Sequence, residues 1–546
     1  MYHAPIPPSY YTLDWEDEGH ESQHGGFMIL HGILMSAAFF VALPISIALR
    51  SVKHAAHGIS MIAFYLLIIL GCAASNLYRK LTPDMYDGAV HGSHSYWIIL
   101  GAVSLSIVDI LSATQRTIKF LRGSNRTLKS FWTSVILRRD ERQESPEYSG
   151  LMEIDELESS KLSPTTSMEL QSISLNDEDH SQHPEQWARS VHRHHRHFST
   201  MSEGTIFDAG SRTHSDDTLH DVKITTRKGL IHQIGQFIFA LVERTLVVAA
   251  FAQLLIGIVT YTGKQNYING CLAHLIKGGI FWCYGLLSFG RFLGAFADLG
   301  WAWNKAPSGD PLTAEFVESL VIFTYGATNT WMERFGAQPG DPFTTKQIQH
   351  ISIAVMFCFA GLVGMGIESK RIRKWLASST FSSAAHPEEM PREAVTEPSS
   401  YSGSLNPFPA LVIGVTGAAM AAHAQTYLFQ VQIHALWGNL LVAFAVLRCF
   451  TYFFLWLGPP KSILPSRPPT EAIGSFFLAC GGLEFMFSTE EVTIAAMRRG
   501  RDDVMMFLNV GVAITCFAFC WTLFVVGFKG WIKSRTHAVV TYRNAA

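Results

Sequence analysis

Long apolar segments constrain the fold of this chain more than any other feature. A helix needs roughly 20 mostly apolar residues to cross the hydrocarbon core of a bilayer, and the 546-residue chain carries about eleven such segments. Only 16% of its residues are charged, against about 25% in an average soluble protein. We therefore predict an all-α fold, a polytopic integral membrane protein within the lipid bilayer. The segments are 27–49, 54–77, 94–114, 230–259, 271–298, 315–334, 347–367, 407–428, 434–457, 471–490 and 504–528.

Positive charges in the connecting loops predict the orientation, because Lys and Arg are enriched on the cytosolic side of a membrane. Most of them follow odd-numbered segments, and MRRGR at 497–501 is the exception. We therefore predict a lumenal or extracellular N-terminal segment over 1–26 and a cytosolic C-terminal tail over 529–546. The basic stretches that follow odd-numbered segments are 50–53, 116–139, 369–374, 461–467 and 529–535.

Two long polar stretches interrupt the apolar pattern. Residues 115–228 and 375–405 hold few large apolar side chains, so we predict two disordered cytosolic loops. The tract VHRHHRHF at 191–198 either binds a divalent metal or is a flexible basic run, and the second interpretation is the simpler one. The near balance of 42 Lys and Arg against 44 Asp and Glu argues against a nucleic-acid partner. Eight cysteines without a CxxC pair predict neither a zinc site nor a disulfide framework.

Four histidines lie near the starts of four successive apolar segments: His31, His57, His94 and His232. Consecutive spanning helices run in opposite directions, so His31 can meet His94 near one face of the membrane and His57 can meet His232 near the other. Two bis-imidazole sites suit two b-type haems. Taken singly, each histidine is better explained by an interface position. Their common depth in the helices favours the paired arrangement.

Four stretches carry a family resemblance. They resemble the first four helices of the di-haem transmembrane b-type cytochromes, the ascorbate-dependent ferrireductase family, apart from a long polar insertion before the fourth. The resemblance implies two haem b groups, one held by His31 with His94 and the other by His57 with His232. The layout of the whole chain resembles the fungal Ytp family (yeast putative transmembrane protein). The four stretches are HGILMSAAFFVALPISIALR at 31–50, HAAHGISMIAFYLLIILG at 54–71, HGSHSYWIILGAVSLSIVDI at 91–110 and GLIHQIGQFIFALVERTLVVAAFAQLLIGIVTY at 229–261.

The domain organisation follows from these assignments. We predict an N-terminal di-haem-like bundle, whose first three helices occupy 27–114 and whose fourth helix begins at 229. Residues 229–298 hold the fourth and fifth helices, and 299–374 hold two more with their loops. Residues 406–528 form a C-terminal unit of four helices.

Polar residues in the C-terminal half leave their role open. His423 and His434 lie on either side of a short turn and either hold a metal, a proton or a third haem, or join two helices by hydrogen bonds. His350, His274 and Glu484 also lie in or at the edge of apolar segments, where a polar side chain needs a partner.

Three functions are compatible with the sequence. The first is a transmembrane electron carrier, with a cytosolic donor such as ascorbate and an outer-face acceptor such as ferric iron, because no nicotinamide or flavin domain is recognisable. The second is a cofactor-free transporter of protons or metal ions that uses intramembrane His and Glu residues. The third is a membrane scaffold whose serine-rich cytosolic loop is regulated by phosphorylation.

Overall fold

A computed structural model gives the structure of the chain, and every regular element among the residues that it describes is helical. The prediction of an all-α membrane protein is therefore confirmed at the level of fold class. The described residues are 24–52, 54–82, 89–123, 127–132, 136, 219–261, 268–307, 312–332, 340–378, 404–423 and 425–536. Most of the predicted disordered loops, at 115–228 and 375–405, lies outside these residues.

Each of the predicted apolar segments contains a helix. The first helix includes one π-helical stretch, Ala37–Ala42. The helices are α1 (Gly25–Ser51), α2 (His57–Leu81), α3 (His91–Arg122), α4 (Leu219–Tyr261), α5 (Ile268–Leu293), α6 (Ala314–Met332), α7 (Thr345–Glu368), α8 (Lys370–Ser378), α9 (Phe408–Ala421), α10 (Leu428–Leu457), α11 (Pro469–Phe487), α12 (Glu490–Arg498) and α13 (Val504–Thr536), with short helices at Leu128–Phe131 and Ala297–Leu299.

Fewer of the described helices have the length and composition of a membrane span than the sequence predicts. Seven described helices are long and apolar enough to cross a membrane, or eight if the broken pair His91–Ile107 and Asp109–Arg122 counts as one span. The seven are α1, α2, α4, α7, α10, α11 and α13. The count of about eleven is thus not confirmed. The helices α5, α6 and α9 are either short or carry charged side chains, and α5 and α6 pack into the same bundle as the spans.

The chain divides into two compact units. The first comprises residues 1–111 and 236–546, and the second comprises residues 112–235. Helices α5 to α13 all lie within the first unit.

Close helix pairs build the core of the first unit. Helix α5 packs on α11, α6 on α7, and α10 on both α9 and α11. Small residues permit the approach: an added Cβ on Gly285 of α5 would lie 2.5 Å from the backbone nitrogen of Ala479 on α11. Aromatic and aliphatic side chains fill the remaining space, and Trp437 stacks on Phe485 with ring centroids 4.0 Å apart. The bundle is therefore held by close van der Waals packing, as expected where lipid removes the hydrophobic drive between helices.

We expect Gly285→Val to lower the free energy of unfolding by more than about 1 kcal/mol, because the side chain would collide with the backbone of α11. Gly527→Val is the matched control, since an added Cβ at Gly527 meets nothing within 4 Å. Thermal unfolding of the detergent-purified variants measures the difference. Equal loss of stability in the two variants would contradict the packing described for α5 and α11.

Candidate functional site

Five charged side chains form a buried cluster in the helix bundle, and we call them the charge cluster: Arg291, Glu315, Glu318, Arg448 and Glu471. They come from four helices: the last turn of α5, the start of α6, the second half of α10 and the first turn of α11. The side chains are only 1–10% exposed. A buried group of this size defaults to a functional candidate in a membrane protein, because isolated charge in a bilayer is expensive.

Arg291 joins α5 to α6. Its Nη1 donates to Glu318 Oε1 at 2.6 Å and its Nη2 donates to Glu315 Oε1 at 2.9 Å. The third donor, Nε, reaches the carbonyl oxygen of Trp301 at 2.8 Å. All three donor nitrogens of the guanidinium group are therefore engaged, which fixes the start of α6 against the end of α5.

Arg448 joins the other two helices to the cluster. Its Nη2 donates to Glu471 Oε1 at 2.6 Å, and its Nη1 lies 3.4 Å from Glu318 Oε2. Glu318 thus bridges the two arginines with its two oxygens. The indole ring of Trp303 lies beside both guanidinium groups, 4.4 Å from Arg291 Cζ and 5.3 Å from Arg448 Cζ, and adds cation–π attraction.

The charge cluster is not balanced. It holds three carboxyl groups against two guanidinium groups, so full ionisation leaves one negative charge without a counter-charge. Buried polar atoms without a hydrogen-bond partner in or beside the described cluster include Glu471 Oε2, Arg448 Nε, Tyr284 Oη, Trp303 Nε1 and Tyr452 Oη. A buried carboxylate that lacks a counter-charge, and has one oxygen without a hydrogen bond, is a favourable site for a proton.

Histidines lie at the opposite end of the same bundle. The rings of His274 on α5 and His434 on α10 are 5.9 Å apart, and His434 Nδ1 lies 2.7 Å from the carbonyl oxygen of Gln430. His423, which the sequence places close to His434, instead lies beside His350 with ring centroids 6.4 Å apart. His423 and His434 therefore each face a different histidine: His423 faces His350, and His434 faces His274.

His31 meets the start of α3 as predicted, but its ring faces His91 and not His94. His31 Nδ1 donates to the carbonyl oxygen of Gly71 at 2.9 Å, and its ring faces His91 at a centroid distance of 6.2 Å. His94, the predicted partner, is exposed. His91 in turn receives a hydrogen bond of 2.9 Å on Nδ1 from Gln253 Nε2 on α4.

His57 is buried in a polar cluster of its own. Its Nδ1 lies 3.1 Å from Ser46 Oγ, and its Nε2 lies 3.4 Å from Asp109 Oδ2. Arg50 lies 3.6 Å from both Asp109 and Glu243, so Glu243 pairs with α1 rather than with its sequence neighbour. Because both ring nitrogens of His57 are engaged, this geometry does not fit an axial haem ligand unless the contact with Asp109 breaks. His232 lies in α4, but its side chain is outside the described residues.

The described residues contain no group of three or more His, Cys, Asp or Glu side chains arranged to hold a metal ion. The two predicted haem pairs therefore stay predictions. The sequence analysis missed the charge cluster, although one signal was present: Arg291 and Arg448 stand alone inside apolar runs, where a charge needs a partner.

Long apolar helices packed around a buried charge cluster define a multi-pass helical membrane protein. The chain belongs to the family described as "Protein YTP1-like, C-terminal", which residues 249–530 match. Residues 16–114 match a domain of unknown function, DUF2427. The match over these two regions confirms the predicted Ytp family, whereas the resemblance to di-haem cytochromes stays a prediction.

Relatives in two yeasts support this assignment. The chain is 31% identical over 540 residues to "Uncharacterized membrane protein C3B8.06" of Schizosaccharomyces pombe, covering 96% of this chain and 98% of the relative. It is 36% identical to "Uncharacterized membrane protein YCR061W" of Saccharomyces cerevisiae over 55% of this chain and 49% of the relative. It is 23% identical to "Protein YTP1" of the same yeast over 44% of this chain and 42% of the relative. No solved structure matches the chain.

We expect Arg448→Met to destabilise the protein strongly, by about 3–5 kcal/mol, because the variant leaves Glu471 buried without its counter-charge. Arg448→Met combined with Glu471→Gln removes both partners and should recover part of that loss. Thermal unfolding in detergent compares the single and double variants, with Arg499→Met at an exposed position as the control. A double variant less stable than Arg448→Met would show that the two residues are not an energetic pair.

Proposed function

We propose that this protein is a cofactor-independent membrane transporter that moves protons, with the charge cluster as its internal proton-binding site. The observation that carries the proposal is the excess of one carboxyl group over the guanidinium groups in a buried cluster shared by four helices. Intramembrane ionisable clusters of this kind mark proton relays and ion pathways. A proton suits the site better than a metal ion, because the described residues offer no three-ligand group.

The position of the charge cluster supports this function. It lies where α5 and α10 end and α6 and α11 begin, which is the cytosolic side in the predicted orientation. An apolar layer that includes Leu441, Phe444 and Leu478 separates it from the histidines at the other end of the bundle. Such a layer blocks a continuous water path, so a proton crosses only when the helices rearrange.

Protonation gives a physical reason for rearrangement. Glu318 holds Arg291 and Arg448 at once, through one oxygen each. Glu471 instead holds Arg448 through Oε1 alone and has Oε2 free, so a proton on Glu471 removes the charge that attracts Arg448 and weakens the connection between α10 and α11. Binding of a proton would then shift the balance between two helix arrangements, as a ligand does when it binds one state better.

Proton flux in reconstituted vesicles tests the proposal. Vesicles containing the wild-type protein and a pH-sensitive dye should acidify under an imposed gradient, and Glu318→Gln and Glu471→Gln should reduce the flux to the level of protein-free vesicles. Asp502→Asn, at an exposed position, is the matched control and should transport normally. Wild-type protein that moves no protons under any imposed gradient would overturn the proposed function.

Electron transfer through bound haem is the second candidate function, and His31 provides the observation that favours it. The bond from its Nδ1 to Gly71 leaves Nε2 with the lone pair, as in histidines that bind metals and donate their other nitrogen to a carbonyl group. An added Cβ at Gly32 or Gly92 would meet nothing within 4 Å, so there is space beside these glycines, although His91 packs against Gly257 of α4 on its other side. Ascorbate and ferric iron would be the donor and acceptor for such a carrier.

A reduced-minus-oxidised absorbance spectrum of the purified protein, expressed with ample haem, tests this second candidate. An electron carrier should show a b-type signal that His31→Ala reduces. His91→Ala and His94→Ala, compared side by side, show which of the two histidines is the partner of His31. Absence of any haem signal would remove this candidate and leave the proton-transport proposal untouched.

A further inference from the structure

Glu484 is a buried carboxyl group that the charge cluster does not include. It lies near the C-terminal end of α11, about 20 Å along the helix axis from Glu471 at about 1.5 Å per residue. The residue is 0% exposed, and neither carboxyl oxygen has a hydrogen-bond partner. Because an ionised carboxylate without a partner is very unfavourable in an apolar site, the group is stable there as the neutral acid.

The carboxyl group of Glu484 is enclosed by α13. An added Cβ on Gly511 of α13 would collide with Glu484, whose carboxyl carbon lies 3.0 Å from that position. Thr515, one turn further along α13, donates its hydroxyl group to the carbonyl oxygen of Gly511 at 2.7 Å and so is not a donor to Glu484. The glycine at 511 is what gives the carboxyl group its room.

No titratable side chain of the described residues around Glu484 donates a hydrogen bond to its carboxyl group. The helices packed against α11 at this level are α5, α10 and α13, together with α4 through Leu255. None of their polar side chains in the described structure bonds to either oxygen of Glu484. The titratable residues of these helices and of α11 toward this end of the bundle include His274, Lys277, His434, Cys480 and Cys516, whereas Arg291, Arg448 and Glu471 belong to the charge cluster.

We propose that Glu484 is a second proton-binding site, which exchanges its proton with the lumenal or extracellular side when α13 moves away from α11. This inference rests on the proposed proton transport and on the predicted orientation. It would give the bundle one protonatable site near each end, with the apolar layer between them. Helix α13 suits the role of a moving element, because it buries a smaller share of its span than any other candidate span in the described structure.

Carbodiimide labelling tests whether Glu484 carries a proton. N,N′-dicyclohexylcarbodiimide is apolar and reacts with protonated carboxyl groups, so at neutral pH it should modify Glu484 in the reconstituted full-length protein. Mass spectrometry of the digested protein locates the adduct, and Glu490→Gln, a neighbouring exposed position, should leave the labelling unchanged. An unmodified Glu484 in a sample whose corresponding peptide is detected would overturn the inference.

Proton flux separates this inference from the proposed function. Glu484→Gln mimics the neutral acid, so it should fold with unchanged thermal stability and yet reduce vesicle proton flux to background. Wild-type flux that survives in Glu484→Gln would overturn the role of Glu484 and leave the charge cluster as the transport site. Absence of flux in the wild-type protein would instead overturn the proposed function, whatever the labelling shows.

Discussion

The burial of the charge cluster is the constraint on which the arrangement of the C-terminal helices depends. Removing an ion from water costs several kcal/mol even after relaxation, so Arg448 can remain inside the bundle only while Glu318 and Glu471 face it. Those two carboxyl groups come from α6 and α11, and the arginine from α10. Three helices are therefore held in one register by charge pairing, and α5 joins them through Arg291.

Stability alone does not explain such a cluster. Well-packed apolar side chains in place of a buried ion pair are often neutral or stabilising, and this bundle is otherwise rich in close apolar contacts. Gly278 and Gly285 bring α5 against the backbone of α11 at Gly482 and Ala479, which already supplies the packing that membrane helices use. A charge cluster with an unmatched carboxyl group is then better explained by a change of protonation than by a gain in stability.

The sequence predicted the positions of the helices much better than the contacts between them. Apolar length is a local property, so each predicted segment contains a helix, although α5 and α6 are not among the described helices that are long and apolar enough to cross a membrane. Contacts between distant residues are not local. Arg448 is visibly isolated in its apolar run, but nothing in the sequence shows that Glu318, 130 residues earlier, faces it.

The histidines also show that the sequence predicts the positions of helices better than the contacts between side chains. Helix direction correctly predicts that the starts of α1 and α3 meet, and it brings His31 to the start of α3. It does not determine which face of α3 turns inward, and the structure turns His91 inward and His94 outward. For His57 the unforeseen element was Asp109, 52 residues away, which takes the ring nitrogen that a haem iron would need.

The two halves of the chain share one arrangement with different consequences. In the N-terminal half Arg50 lies between Asp109 and Glu243, and in the C-terminal half Arg448 lies between Glu318 and Glu471. The side chain of Arg50 is 31% exposed, whereas that of Arg448 is 1% exposed. Under the proposed function, a change of protonation acts more strongly around Arg448, because a deeply buried ion pair is screened less than a more exposed one. This difference in burial favours the C-terminal half as the part that controls the helix arrangement.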